Sequence, residues 1–486
     1  MISMKPFLKR VFIAVLYGAL GGLVTLILVV VVILENRTDL NLWHEAHLDA
    51  EYTAESPVPD LQGYLDLEGR LFQQLAQQVL DRVPASERGP IQRYHRGSLS
   101  DPGRWERNWN RTFELEAAEP AAGVLLLHGM SDAPYSLRLL GTRLNEKDAW
   151  VVGLRLPGHG TIPSGLVRLK WEDMAAAVRL AMGHLKDRVG DRPLFMVGYS
   201  AGGALAVQYA LEMLDDPTLP PVEKMVLISP AMGVSRLAAL SVWQARLGRW
   251  LGLPKLAWNS ILPEYNPFKY SSFAINAGDQ IYRLAKTIQQ GLDKAFASGN
   301  VERFPRLLTF QSVVDATVST PAVFSGLYNR LKNPANELVV FDINHHAGVD
   351  GLLTTDPLAR IQPLLDNAQT DYVYSLVTNQ NPNSPGVMVH RSVNGSPAGL
   401  PERLTWQWPD GVHSLSHVAL PFPFDDPLYG TSDTVASPGI ALSKITLQGE
   451  RGVINIPAAE MLRLKWNPFY PYLEQRVIDF LILKKG

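Results

Sequence analysis

One stretch restricts the fold more than any other: Leu194-Phe-Met-Val runs into Gly198-Tyr199-Ser200-Ala201-Gly202-Gly203 and then Ala204-Leu-Ala-Val-Gln-Tyr-Ala-Leu. An apolar strand pattern becomes a helical one within a single residue, so the chain must bend sharply at Ser200. Side chains two residues before and two after such a bend would collide, and Gly198 and Gly202 stand at those two places. The spacing predicts a serine pushed out of a tight strand-to-helix turn, with the free amides of the helix start beside it.

Composition leaves room for this unit and more. The chain has 486 residues, 46% hydrophobic and 19% charged, enough for one large domain with extensions or for two domains. Its net charge of −2, with the basic residues spread through the body, gives no reason to expect a nucleic acid partner. It contains no cysteine, so disulfides, thiolate nucleophiles and cysteine-bound metals are excluded.

Residues Val11 to Leu34 carry no charge, and as a helix they would extend about 36 Å, long enough to span a bilayer. A cleaved leader has a shorter apolar core ending at a small-x-small site, whereas this one runs into Glu35-Asn36-Arg37. Residues 1–35 are therefore expected to be a cytoplasmic tip and an uncleaved transmembrane anchor. Lys5, Lys9 and Arg10 before it place the N-terminus in the cytoplasm and the body across the membrane, which in a bacterium is the periplasmic side of the inner membrane.

Residues 36–112 read as a linker and N-terminal extension. Polar sequence ends at Ser56-Pro-Val-Pro59, and a helical period from Leu61 to Val83 stops at Pro84. His44-Glu-Ala-His47 has no third ligand nearby and carries no metal expectation. From 113 to 486 short apolar runs alternate with helical patterns, which predicts an α/β architecture with a mostly parallel sheet between helices. The expected strands are Val124–Leu127, Trp150–Leu156, Leu194–Tyr199, Met225–Ser229, Arg306–Gln311 and Leu338–Ile343. Helices are expected near Tyr135–Asn145, Trp171–Arg188 and Gly202–Leu214. Two departures interrupt the rhythm. Residues about 231–300 form a mainly helical cap containing Trp243, Trp250, Trp258, Tyr265, Phe268, Tyr270, Phe273 and Tyr282; residues about 344–410 form an insertion with strand-like pieces.

Three motifs stand in a familiar order: His128-Gly129, Leu156-Pro-Gly-His159-Gly160 and Gly198-Tyr-Ser-Ala-Gly202. On them the chain resembles the α/β-hydrolase superfamily, nearest the carboxylesterase and monoacylglycerol-lipase-like branch of serine aminopeptidase S33 type, over roughly residues 113–350 and the C-terminal helix. The resemblance implies Ser200 as nucleophile, the amides of Met130 and Ala201 as oxyanion hole, and an acid and then a histidine further along the chain. His128 is expected to shape its loop and His159 to sit at the pocket wall.

The acid that fits is Asp315, four residues past Leu307-Leu-Thr-Phe-Gln311 in a polar loop. For the base, His345 and His346 follow the strand Leu338–Ile343 directly, where a compact hydrolase would place it. The rival, His417, lies in Ser414-Leu-Ser-His-Val-Ala-Leu, a mixture of small hydroxylated and apolar residues suited to a packed site, and resembles the histidine loop of the esterase branch. His417 is preferred, with His413 a further alternative. The expected activity is cleavage of hydrophobic or lipid-like acyl esters through an acyl-enzyme, with no cofactor. Acyl transfer, peptide cleavage, or a tethered binding protein without turnover are the alternatives.

Overall fold

A computed structural model of the chain describes residues 4–233, 253–331, 333–365, 371–445 and 456–481. Its frame is a sheet whose central strands are buried along their whole length, as strands covered by helices on both faces must be. In chain order the strands are β1 (Phe113–Leu115), β2 (Ala122–Leu127), β3 (Ala149–Leu154), β4 (Leu194–Tyr199), β5 (Val222–Ile228), the short cap strands β6 (Trp258–Ser260) and β7 (Phe273–Ala274), then β8 (Arg306–Ser312), β9 (Glu337–Phe341), β10 (Val373–Asn379), β11 (Gly386–Val393), β12 (Ser396–Pro397) and β13 (Glu402–Gln407).

The main sheet runs β1-β3-β2-β4-β5-β8-β9-β10-β11-β12, with β13 also on β11. All pairings from β3 to β10 are parallel, while β1 and the β11–β13 end are antiparallel. Strand side chains alternate between two cores. Leu125 and Leu127 face one, with helices α2 (Leu61–Gln78), α4 (Trp171–Val189), α5 (Ala201–Asp215) and α6 (Ile275–Ala297). Val124 and Leu126 face the other, with α3 (Arg138–Asn145) and α7 (Tyr470–Leu481).

Element types agree with the sequence reading, and bounds differ by a few residues. The strands of the region 344–410 extend the main sheet. The excursion also closes on itself. Asn344, just past β9, donates from its backbone to His413 O and from its side chain to Val412 O, both at 2.8 Å. In the cap, Trp258, Phe268 and Tyr270 are buried, whereas the expected aromatics Trp243 and Trp250 lie outside the described residues.

The stretch 36–60 departs from the linker expectation. Trp43, Leu48 and Tyr52 are buried against the body, and Glu51 and Glu68 both bind the buried Arg155, at 2.9 and 3.1 Å. Glu68 also accepts from the Thr112 amide and hydroxyl. Ahead of this stretch, α1 (Met4–Glu35) carries exposed Phe12, Val15, Leu16, Tyr17, Leu20 and Val24. Among the described residues no helix is long and apolar enough to cross a membrane; many side chains of 23–34 in α1 lie outside the description.

Removing Glu68 leaves Arg155 paired with Glu51 but takes the acceptor from its buried Nε and from the Thr112 amide and hydroxyl, and leaving buried donors unmet costs about 1–3 kcal/mol. Glu68→Ala is expected to destabilise the chain by that amount in denaturant unfolding; a loss below about 1 kcal/mol, the scale of a surface pair, would contradict the clamp role of Arg155.

Candidate active site

Ser200 sits where β4 turns into α5, with φ 54° and ψ −114°. A positive φ is strained for a residue with a Cβ, so the surroundings must impose it. They do so through contact. A Cβ on Gly202 would run into the carbonyls of Leu127 and His128, and one on Gly198 into Gly202 O. The Ser200 amide donates to Ile228 O at 2.9 Å, and its carbonyl accepts from Ala204 and Ala231.

The loop after β2 approaches the bend from the other side. A Cβ on Gly129 would lie 3.2 Å from Ser200 Cβ, so only glycine lets the loop come this close without displacement. Met130 follows, and Ala201 is the first residue of α5, where an amide has no partner within the helix. Among the described residues neither amide is taken by a loop or turn carbonyl. Gly129, Met130, Ser200, Ala201 and His417 line one cavity of about 420 Å³.

Asp315 and His417 come together from loops 102 residues apart, with His417 Nδ1 2.8 Å from Asp315 Oδ2 and both side chains buried. The same Oδ2 accepts from Gln311 Nε2 at 3.2 Å and from the Ser229 hydroxyl, while Oδ1 accepts from the amides of Thr317 and Val318 at 2.8 and 2.9 Å. Burial pushes this carboxyl up, but the charge and hydrogen bond of His417, with the Ser229 and Val318 donors, outweigh it and hold the group below its ordinary value. The histidine loop is fastened as well. Ser312 Oγ donates to Leu415 O at 2.8 Å, Tyr199 OH reaches His417 O at 3.3 Å, and the two rings pack at 5.2 Å.

Among the described residues no hydrogen bond joins Ser200 Oγ to His417; in free sites this contact is commonly loose and tightens with substrate. The other histidines lie elsewhere. His345 is partly exposed and pairs with Asp342 at 3.2 Å, its amide donating to Asn379; His346 is its neighbour in the same turn, and His413 is exposed. None of the three lines the cavity that holds Ser200.

His128 Nε2 accepts from the Leu156 amide at 3.0 Å and Nδ1 faces Gly129 O at 2.9 Å, which sets a neutral tautomer and braces the loop. Burial drives its pKa well below the ordinary value, and that of His159 down to about 4. His44 and His47 diverge: the first bonds to Ser272, the second to Asp49 and Arg168. Sequence reasoning missed Ser229, Gln311 and, within the cavity, the Lys269–Asp132 pair at 3.4 Å and Arg463. Ser229 had a faint signal, since it ends an apolar strand just before Pro230.

Comparison with known proteins bears on part of this chain. Residues 118–320 match the family described as serine aminopeptidase, S33. A thermostable monoacylglycerol lipase from Bacillus sp. (strain H-257) is 32% identical over 143 residues, 28% of this chain and 54% of the relative; the chain thus spans about half the length of the curated relative it matches. Over these residues the chain is thus similar to members of that family and to a monoacylglycerol lipase. Similar solved structures include a soluble variant of monoglyceride lipase from Saccharomyces cerevisiae (TM-score 0.38, 11% identity, 48% of this chain and 82% of that one). Another is the monoacylglycerol lipase of Paleococcus ferrophilus (TM-score 0.35, 19% identity, 48% and 88%).

A carboxyl whose folded pKa is depressed contributes stability that is fully present above its unfolded value and lost as pH falls through the folded one. The Asp315 contribution should therefore fade on acidification below about pH 4, the unfolded value. Unfolding free energies measured from neutral to acidic pH should fall less steeply for Asp315→Asn than for the unaltered chain, and equal slopes would contradict the ion pair.

Proposed function

We propose that this chain is a membrane-anchored serine hydrolase that cleaves carboxylic acyl esters of hydrophobic or lipid-like character. The observation that carries the reading is Ser200, strained at φ 54°, in one cavity with His417, whose far ring nitrogen is engaged by Asp315. Such strain persists only where surrounding structure imposes it, and it clusters at sites of chemistry.

In this reading His417 Nε2 takes the proton of Ser200 Oγ as the oxygen attacks the ester carbonyl carbon. Asp315 keeps Nδ1 protonated and stabilises the imidazolium that results. The amides of Met130 and Ala201 hold the oxyanion, an arrangement in which each donor is worth about 2.7–4 kcal/mol. Collapse breaks the bond to the alcohol, which leaves with the proton from His417. Water then gives a proton to His417, attacks the acyl-enzyme, and releases the acid with Ser200 restored.

Substrate character follows from the walls. Phe273, Ile275, Ile281 and Val318 line the cavity beside Ser200, and apolar walls of this kind favour a hydrocarbon acyl part. The name of the Bacillus relative, a monoacylglycerol lipase, agrees with a lipid-like ester. Anchoring rests on the uncharged run Val11 to Leu34 within α1, whose exposed Phe12, Val15, Leu16, Tyr17 and Leu20 spread over more than half of the helix circumference and so suit a lipid environment. Lys5, Lys9 and Arg10 support a single pass with the body on the periplasmic side of a bacterial inner membrane.

Ser200→Ala should abolish turnover of a p-nitrophenyl ester without altering the circular dichroism spectrum, and near-normal activity would refute the mechanism. Among the histidines, His417→Ala is expected to lower kcat/KM by roughly 10³-fold or more, and His345→Ala and His346→Ala to leave it nearly unchanged. A large loss at either of the latter would move the base to that loop. After cell fractionation the chain should stay with membranes through an alkaline carbonate wash, and a version lacking residues 1–35 should not; release of the full chain by the wash would contradict anchoring.

A further inference from the structure

The residues that follow α1 are fastened to one place on the body. Arg37, two residues beyond the helix, donates from Nη1 to Lys255 O and Trp258 O, each at 2.8 Å. Lys255 Nζ answers with a bond to Arg37 O at 3.1 Å and an ion pair to Asp39 at 2.7 Å. Farther along, buried His44 places Nε2 3.0 Å from Ser272 Oγ and packs edge-on to Trp258 at 5.0 Å. Residues 37–44 therefore form a strap on the hairpin of β6 and β7.

That hairpin is a wall of the active-site cavity. Asn259, in β6, and Phe273, in β7, line it together with Ser200 and His417. From Glu35 to Arg37 the chain can reach only about 7 Å, so the hairpin lies close to whatever plane the end of α1 occupies. A loose tether would have let the body tumble at the surface. The Arg37 contacts prevent this.

We propose that the strap is a docking device that holds the cavity wall formed by β6 and β7 at the lipid surface, so that the acyl ester is drawn from the bilayer itself and not from the aqueous phase. The partner surface is thus a lipid membrane, and the substrate class is an ester resident in it. This rests on the reading of α1 as an anchor and of Ser200 as the nucleophile.

The test separates position from chemistry. A flexible Gly/Ser segment of about twenty residues inserted between Asn36 and Arg37 leaves every strap contact intact while freeing the body from the membrane plane. The full chain and this variant are each reconstituted into phosphatidylcholine vesicles and assayed on a water-soluble short-chain p-nitrophenyl ester and on a fluorogenic long-chain ester embedded in the same vesicles. The insertion should leave the soluble rate unchanged and lower the embedded rate roughly tenfold, the scale on which effective concentration falls with a long flexible linker. The double variant Arg37→Ala, Lys255→Ala, which breaks the strap without lengthening the chain, should show the same selective loss. Equal rates on the embedded ester for all three proteins would overturn the docking role. No soluble turnover by the unaltered chain would instead overturn the hydrolase reading beneath it.

Discussion

The bend at Ser200 depends on van der Waals exclusion as much as on hydrogen bonding. A serine at φ 54° is unfavourable by itself, by an amount on the order of 1–3 kcal/mol. It is held there because β4 is locked between β2 and β5 and because α5 must start where the end of β2 leaves room only for glycine at 202. The same close approach brings the loop after β2 within contact of Ser200, so one packing constraint places both the hydroxyl and the two amides flanking it. Replacing Gly202 with any other residue would disturb all of these together, since its Cβ would meet carbonyl oxygens that cannot move without distorting the sheet.

Asp315 and His417 are held by a second kind of constraint, polar and long-range. Asp315 is buried, and a buried carboxylate needs its lone pairs filled. Five donors fill them: Ser229, Gln311, His417 and the amides of Thr317 and Val318. Ser229 is itself at φ 48°, and Ser131, which lines the cavity, at φ 63°, so with Ser200 three serines here occupy backbone conformations that L residues rarely take. The hydroxyl of Ser229 thereby reaches the same oxygen as His417, and the acid is oriented from two sides.

Much of the fold could be read along the chain because its parallel strands are short, mostly apolar and separated by strong helical periods. The Ser200 bend was legible for a similar reason, since its glycines and its change of period are all local. The histidine facing Asp315 was much harder to read. Four strands, β10 to β13, intervene between β9 and His417, and nothing in the local sequence near His345 or His417 states that these strands extend the sheet and return to Asn344. Only that closure brings the 412–417 loop back beside the end of β9. The strap at 37–44 was obscured by composition: polar, Pro-containing sequence reads as a linker, although Arg37 and His44 find specific partners on the cap and Trp43 is buried against Tyr94.

The central claim is that this fold activates one serine. Treating the folded chain with a fluorophosphonate and mapping the adduct by mass spectrometry tests it most directly, because such reagents phosphonylate a serine only when its oxygen is activated by a neighbouring base. A single adduct at Ser200, lost when the chain is unfolded before treatment, is the result expected from the geometry of Ser200, His417 and Asp315. An unlabelled Ser200 in folded protein, or labelling that persists after unfolding, would contradict it.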